Sequence, residues 1–560
     1  GATGRGAMAG LLGGFAVWGY TLMLPAIAKS GWLPDGFLDH GPLGVAALRP
    51  EALFGLTGLD NITHALFWSM LVNVGLYVAV SLARPPGARE AAQDGQQLVG
   101  PHARVVAGHE DTGVTDGRRQ PADIGGEDDG PSRALAKAIE TEGQSLVRGL
   151  ENLVADLEHG GGDLVVSLSD RTAFSVGQNI GTTPGVVVHR DPLFELIQYD
   201  PATEKQRAIP LLIFPPWINK FYILDLTPQK SFIRWAVEQG LTVFVVSWAQ
   251  GSEALKDAGL DTYALEGQLQ AIDLVLQATG AKSTHVIGYC VAGTILSATL
   301  AYMQATGQAE KVKTATFFTA QVDFEDAGEL LNFIDGPTPE TIGQLSEGKG
   351  YLDGRYLATT FNMLRPTDLM WNYVVNNYLK GKDYVPFDLL YWNSDPTNVP
   401  GRFMQEYVGG MYSRNLLVQP GGIHIGGVPI DLSTVQTPAY VQAGRDDHIA
   451  PAISCFKLTK AFSGPQRFML AGSGHIAGVV NPPSAKKYQY WVLPEGEKTP
   501  ATLEEFREKA TETPGSWWPD WIQWLAPQSG EKVKARVPGK AKGFAAIEAA
   551  PGRYVQERIA

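Results

Sequence analysis

Cysteine is nearly missing from this chain: Cys290 and Cys455 are the two it has among 560 residues. Two thiols so far apart make neither a disulfide framework nor a zinc spacing, and their scarcity fits a reducing compartment. No HExxH, EF-hand loop or P-loop occurs, so metal-centred and nucleotide-hydrolysing chemistry has no motif to start from. Neither a metal nor a cofactor is expected. Basic residues are outnumbered, with 45 Lys and Arg against 58 Asp and Glu and a net charge of −13. No basic stripe with interleaved aromatics appears, which argues against a nucleic-acid partner. There is no collagen-like or Gln/Asn-rich bias, and the length exceeds what one core can hold, so two to four domains or subdomains are expected.

What is present centres on T-H-V-I-G-Y-C-V-A-G at 284–293. An apolar, β-branched run meets a glycine, then a cysteine, then small residues that open a helical pattern over 294–304. A strand that turns sharply into a helix while holding one side chain up is the nucleophile elbow, G-x-S-x-G in its serine form, here with Cys290 as nucleophile. Ala292 stands where the serine form has glycine. The motif alone does not separate this from a buried cysteine at a strand end, a common place for free cysteine.

Residues 1–90 differ from the rest. The runs 8–28 and 65–83 carry no charge, and each nears the ~20 residues that cross a bilayer. Arg5 precedes the first run, Arg84 and Arg89 follow the second, and Asp and Glu outnumber Lys and Arg between them. The positive-inside rule then puts both flanks in the cytoplasm and the loop outside. A pair of buried hairpin helices is the alternative, and no signal-peptide cleavage site is evident. Residues 91–131 read as a polar, disordered linker. Helical spacing returns at 132–157, with strand-like pieces at 163–168, 185–189 and 193–199.

From there strand and helix alternate: strands at 211–217, 241–248, 284–289 and 312–319, with helices at 227–239 and 261–279. Such alternation predicts an α/β fold, a mostly parallel, doubly wound sheet covered on both faces. Residues 323–435, rich in Asn, Tyr, Trp, Pro and Gly, interrupt it as an inserted cap or lid. Strands at 438–444 and 466–471 flank a helix at 451–461. A tryptophan-rich helix (Trp517, Trp518, Trp521, Trp524) closes the core by packing on the sheet. The catalytic core is thus placed at 201–322 and 436–528, with a basic tail at 529–560.

In the elbow fold the triad runs nucleophile, acid, base along the chain, from loops at strand carboxyl ends. V-Q-A-G-R-D-D-H-I at 441–449 offers Asp447 as acid, with Asp446 as the fallback, and G-S-G-H at 472–475 offers His475 as base. The oxyanion needs backbone donors. Val291 N–H follows the nucleophile directly. The second should come from P-P-W-I-N-K-F at 215–221, where the prolines cannot donate and Trp217 or Ile218 can. Cysteine favours acyl transfer over hydrolysis: attack on a thioester regenerates a thioester, so the acyl group stays activated for a second transfer.

At these residues the chain resembles the polyhydroxyalkanoate synthases, in particular the single-subunit class I type. The matching segments are E-G-Q-S-L-V-R-G-L at 142–150, F-P-P-W-I-N-K-F-Y-I-L-D-L at 214–226, W-A-V-E-Q at 235–239 and G-Y-C-V-A-G at 288–293. L-Y-W-N at 390–393, G-R-D-D-H-I at 444–449, S-G-H-I at 473–476 and G-S-W-W at 515–518 match as well. The resemblance runs from about residue 132 to the C-terminus and implies an α/β-hydrolase fold with Cys290, Asp447 and His475 as triad. It adds His448 beside the acid and Trp392 as a cap aromatic of the dimer contact. It implies polymerisation of (R)-3-hydroxyacyl-CoA, in the first place 3-hydroxybutyryl-CoA, into polyester, with CoA as leaving group rather than cofactor. A homodimer in the cytoplasm at the surface of polyester granules is implied too, while the residues that bind CoA are not. The family's helical N-terminal domain survives only as a remnant at 132–200. The runs 8–28 and 65–83 look instead like the membrane part of a transporter-like sensor, which adds anchoring to the inner membrane as an expectation. Two rivals stand beside this reading: a cysteine-dependent hydrolase or thioesterase releasing free hydroxy acid, and a membrane-anchored scaffold with an inert hydrolase-like part.

Overall fold

The computed structural model describes residues 4–29, 36–83, 131–162, 164–334 and 338–559. The chain forms two compact units, Gly1–Ser167 with Met370–Asp383, and Leu168–Leu369 with Tyr384–Ala560. The expected linker lies outside the described residues apart from Pro131.

In the first unit, the run expected at 8–28 is α1 (Gly4–Trp18), a π-helical turn Gly19–Met23, and a last piece Leu24–Lys29. The run expected at 65–83 is one uninterrupted helix, α2 (Asn61–Ala83). The periodic stretch at 132–157 becomes α3 (Pro131–Glu140) and α4 (Gln144–His159), broken at Gly143, whose φ of 85° sits in the left-handed region that glycine tolerates.

The second unit is built on an eleven-stranded sheet. In chain order its strands are β1 (Gly185–Arg190), β2 (Phe194–Tyr199), β3 (Leu211–Phe214), β4 (Val243–Trp248), β5 (Thr284–Tyr289) and β6 (Val312–Phe318). They continue as β7 (Ala439–Gly444), β8 (Gln466–Ala471), β9 (Gln489–Val492), β10 (Thr511–Pro514) and β11 (Glu548–Ala549). Their spatial order is β10-β9-β8-β7-β6-β5-β3-β4-β2-β1-β11. The six central strands, β4 to β8 across β3, are parallel, and the flanking pairs are antiparallel.

Burial on both faces explains the unbroken apolar runs. Every residue of β4 and β5 is buried. Strand alternation then divides neighbours between two cores: Leu212 and Phe214 enter the core that contains Ile295 and Leu296, while Leu211 and Ile213 enter the one that contains Phe232 and Trp518. Helix α5 (Phe232–Glu238) lies in the second core, α6 (Gln270–Thr279) and α7 (Val291–Ala305) in the first, α8 (Ala452–Ala461) in the first, and α9 (Trp518–Leu525) in the second. Trp517, Trp518 and Trp521 are at most 1% exposed. Packing, not ligand display, is what this cluster does.

Several expectations are corrected. Residues 164–168 form no strand, although Ser167 and Leu168 are buried. The division near residue 200 falls instead at Leu168, so β1 and β2 belong to the sheet. The insertion between β6 and β7 is shared, since Met370–Asp383 belongs to the first unit. The basic tail is folded: Lys532–Lys534 pairs with Lys205–Arg207, and β11 extends the sheet beyond β1. Arg536 ties this segment down, donating to Ala208 O (2.8 Å) and Thr242 Oγ1 (3.1 Å).

Candidate active site

The sheet reverses its winding between β3 and β5. The chain leaves β3 for β4 on one side, then returns across β3 to β5 and continues away from it. The crevice at the carboxyl ends of such neighbours is where open α/β sheets bind ligands. Phe214, the last residue of β3, pairs with Gly288, so the loop 215–221 and the elbow at Cys290 leave adjacent strand ends.

Cys290 has φ 54° and ψ −127°, a conformation that costs a non-glycine residue ~1–3 kcal/mol and persists only where the surroundings enforce it. Enforcement comes from its amide, which donates to Phe318 O at 2.9 Å, and from its carbonyl, which accepts from Gly293 N (2.9 Å) and Thr294 N (3.1 Å). A Cβ on Gly288 would lie 2.6 Å from Gly293 Cα, and one on Gly293 would lie 2.8 Å from Gly288 O. Those two glycines are therefore required, whereas Ala292 fits with its side chain fully buried and its carbonyl accepting from Gln268 Nε2 at 2.8 Å. The Cys290 side chain makes no cap bond to α7, which leaves the sulfur available to react. Val291 opens α7, so its N–H has no partner within the helix and can serve an oxyanion.

Asp447 and His475 leave the neighbouring strands β7 and β8. His475 Nδ1 lies 2.8 Å from Asp447 Oδ2, and both side chains are buried. The other carboxylate oxygen of Asp447 accepts from the amides of Ile449 (2.8 Å) and Ala450 (2.9 Å), which fixes its orientation. Tyr289 donates its hydroxyl to His475 O at 3.0 Å. The following loop hangs from the core tryptophans, with Trp517 Nε1 on Gly478 O (2.7 Å) and Trp518 Nε1 on Val479 O (2.9 Å).

The Cys290 sulfur lies within electrostatic reach of the His475 ring. Burial disfavours the imidazolium, but the Asp447 carboxylate and the Cys290 sulfur outweigh it and push the His475 pKa up to about 10.

Asp446 is not brought to the site. It turns outward into a two-point ion pair with Arg445, at 2.9 Å for each contact. His448 is half-buried next to the acid; burial holds its pKa below the usual value against the opposing pull of Asp447. Trp392 is 5% exposed within the single chain and donates to Lys220 O at 2.7 Å, so it braces the loop after β3 instead of standing at the surface. In that loop the carbonyls of Trp217 and Ile218 accept from Thr397, Trp217 from the hydroxyl (2.6 Å) and Ile218 from the amide (3.3 Å), while the Trp217 ring stacks on Tyr263.

Sequence reasoning missed Tyr407 and Tyr412. They come from the insertion, at either end of a π-helical turn, Val408–Tyr412, a distortion that often marks functional positions. Burial drives the pKa of both phenols upward, and the nearby Cys290 sulfur adds to it. The π-helical turn was the available signal, and it is not visible in residue types. Cys455 is buried behind the acid loop, its sulfur 3.4 Å from Ala450 O, and burial raises its pKa well above the usual thiol value.

Comparison with known proteins follows the same residues. Residues 131–236 match the family model described as the poly-beta-hydroxybutyrate polymerase (PhaC) N-terminus, and residues 229–482 match the alpha/beta hydrolase fold. The poly(3-hydroxyalkanoate) polymerase of Methylorubrum extorquens is 48% identical over 423 residues, 75% of this chain and 69% of that protein. The poly(3-hydroxyalkanoate) polymerase subunit of Cupriavidus necator is 42% identical over 425 residues, 75% of this chain and 71% of that protein. Poly(3-hydroxyalkanoate) polymerase 1 of Ectopseudomonas oleovorans is 39% identical over 425 residues, 76% of this chain and 75% of that protein. With an α/β-hydrolase sheet carrying a cysteine elbow, the chain belongs to the poly(3-hydroxyalkanoate) polymerase family.

Proposed function

We propose that the chain polymerises (R)-3-hydroxyacyl-CoA, in the first place 3-hydroxybutyryl-CoA, into polyhydroxyalkanoate with release of CoA. The observation that carries this is a thiol, not a hydroxyl, at the elbow of a chain in this family. His475 takes the Cys290 proton, and the thiolate attacks the thioester carbonyl. The oxyanion is held by Val291 N–H and Ile218 N–H. Collapse breaks the bond to sulfur of CoA, which leaves as the thiol with the proton from His475, and the acyl group rests on Cys290. The 3-hydroxyl of a second acyl group then attacks that thioester and loses its proton to His475; the ester bond forms as the C–S bond to Cys290 breaks, and the departing sulfur takes that proton back from His475. Thioester exchange is nearly thermoneutral, so the acyl-enzyme keeps its driving force for this second step. Asp447 orients His475 and stabilises the imidazolium. No resident cofactor is needed.

The same reading places a homodimer in the cytoplasm at the surface of its polyester product. An apolar stripe on α3 and α4 supports this: Ile139, Leu150 and Val147 are at least half exposed, with Leu146 and Val154 beside them. Hydrolysis to free hydroxy acid is the outcome to distinguish. Purified protein given 3-hydroxybutyryl-CoA should release thiol and yield insoluble polyester. Free 3-hydroxybutyrate in step with CoA, without polymer, would replace polymerase by thioesterase.

A further inference from the structure

The helical hairpin of α1 and α2 has no role in the chemistry above, and its surface is unlike that of the catalytic unit. Helix α2 runs 23 residues without Asp, Glu, Lys or Arg, about 35 Å at 1.5 Å per residue, which matches the ~30 Å hydrocarbon thickness of a bilayer. Only 11% of its window Thr63–Val80 is buried. Leu71 and Val74 are 53% and 51% exposed, and Leu12 and Phe15 on α1 are 65% and 68% exposed. A hairpin made for water would show charge on such a face.

Its inner face is equally telling. The helices run antiparallel, and small residues let their backbones meet. A Cβ on Gly10 would lie 2.7 Å from Asn73 O, and one on Gly14 would lie 2.9 Å from Asn73 Cβ and 3.0 Å from Ser69 O. Ser69 Oγ donates to Gly14 O at 2.9 Å. Close approach through a G-x-x-x-G spacing with a serine bonded across the seam is how helices pair in lipid, where apolar side chains gain nothing by leaving the solvent.

Charge adds a direction. Arg5 lies in the first turn of α1 and Arg84 and Arg89 follow α2 in sequence, whereas the connecting segment holds Asp35, Asp39, Glu51 and Asp60 against Lys29 and Arg49. We infer that α1 and α2 form a two-helix membrane anchor whose lipid-facing surface includes Leu12, Phe15, Leu71 and Val74. Its connecting loop lies outside the cytoplasm, and the chain beyond Ala83 is on the cytoplasmic side. The occupant of this apolar surface is a phospholipid bilayer, not the polyester and not a second copy. This inference stands independently of the polymerase reading.

The test uses the full chain, produced in a bacterial host that makes no hydroxyacyl-CoA, so that no polyester forms. Membranes are pelleted and washed with alkaline carbonate, and purified chain is floated with vesicles of phosphatidylethanolamine and phosphatidylglycerol. The wild-type chain should stay in the washed membranes and rise with the vesicles. The double substitution Leu71→Arg and Val74→Arg should reduce both at least ~10-fold, while Leu71→Phe with Val74→Leu should not. A cysteine introduced as Val45→Cys should react with an impermeant maleimide added outside intact cells. Release of the wild-type chain by carbonate would overturn the inference whatever the variants do. So would flotation unaffected by the two arginines, recovery only on added polyester particles, or a lipid-free dimer that fails to bind vesicles.

Discussion

Helices α2 and α7 are both uncharged, apolar and rich in small residues, yet the molecule covers them in opposite ways. Twelve of the fifteen residues of α7 are buried in protein, whereas α2 presents most of its surface outward. Apolarity states that a helix avoids water and leaves open what replaces the water. For α7 the replacement is the sheet, because the strained turn that carries Cys290 must be held by dense packing on every side. For α2 it is one partner helix and, by our inference, lipid.

The largest effect should come from the turn that α7 supports. Cys290→Ala should lower CoA release from 3-hydroxybutyryl-CoA by roughly 10⁴-fold or more, measured as thiol formation, with circular dichroism unchanged. Turnover by this variant near the wild-type rate would sink the nucleophile assignment.

Arginine placed in each helix sharpens the contrast directly. Leu296 is fully buried in α7, so Leu296→Arg should destabilise the catalytic unit by ~3–5 kcal/mol, the range for an uncompensated buried charge. Leu71→Arg should change unfolding in mild detergent by no more than ~0.5 kcal/mol. Equal losses in urea titrations would mean that α2 is a core helix after all.

The coupled titration at the elbow is the next smaller effect. The folded-state pKa of His475, about 10, lies above the ordinary 6.5. Its protonated ring therefore contributes stability in full below about pH 6.5, and that contribution fades as pH rises through about 10. Cys290→Ala removes one of the groups that raise this pKa, and Asp447→Asn removes the larger one. The His475 titration followed by NMR should move to lower pH in both, further in Asp447→Asn. An unshifted midpoint would show that the three side chains do not form one electrostatic unit.

Smallest is the hydroxyl of Tyr412. Tyr412→Phe removes a phenol that senses the Cys290 sulfur, and a neutral hydrogen bond is worth about 1 kcal/mol, so CoA release should slow by at most roughly fivefold. No change would make the tyrosine pair a packing element of the insertion.

Strands β5 and β8 were legible at both ends because each is a short apolar run stopped by a turn-forming residue, and both carry a site residue just beyond. The sequence order of Cys290, Asp447 and His475 was legible for the same reason: each follows a strand. The division of the insertion was hidden, since Met370–Asp383 leaves its neighbours for the other unit through packing that composition does not record. The segment after residue 529 reads as a tail because its ties, such as Arg536 to Ala208 O, reach more than 300 residues back. Trp392 is expected as a cap aromatic of a dimer contact, and its indole on Lys220 O, a bond spanning 172 residues, is not recorded in local sequence. The choice between Asp446 and Asp447 turned on one residue of phase, which the loop geometry alone decides.

The central claim is that Cys290 carries an acyl group that is passed to a hydroxyl rather than to water. Protein mixed with 3-hydroxybutyryl-CoA, quenched within the first turnovers and digested, should show hydroxybutyryl units in thioester linkage on the peptide that contains Cys290. Longer incubation should convert the released-CoA equivalent into polyester. Label on Cys455 instead, or an unlabelled Cys290 alongside free 3-hydroxybutyrate, would contradict it.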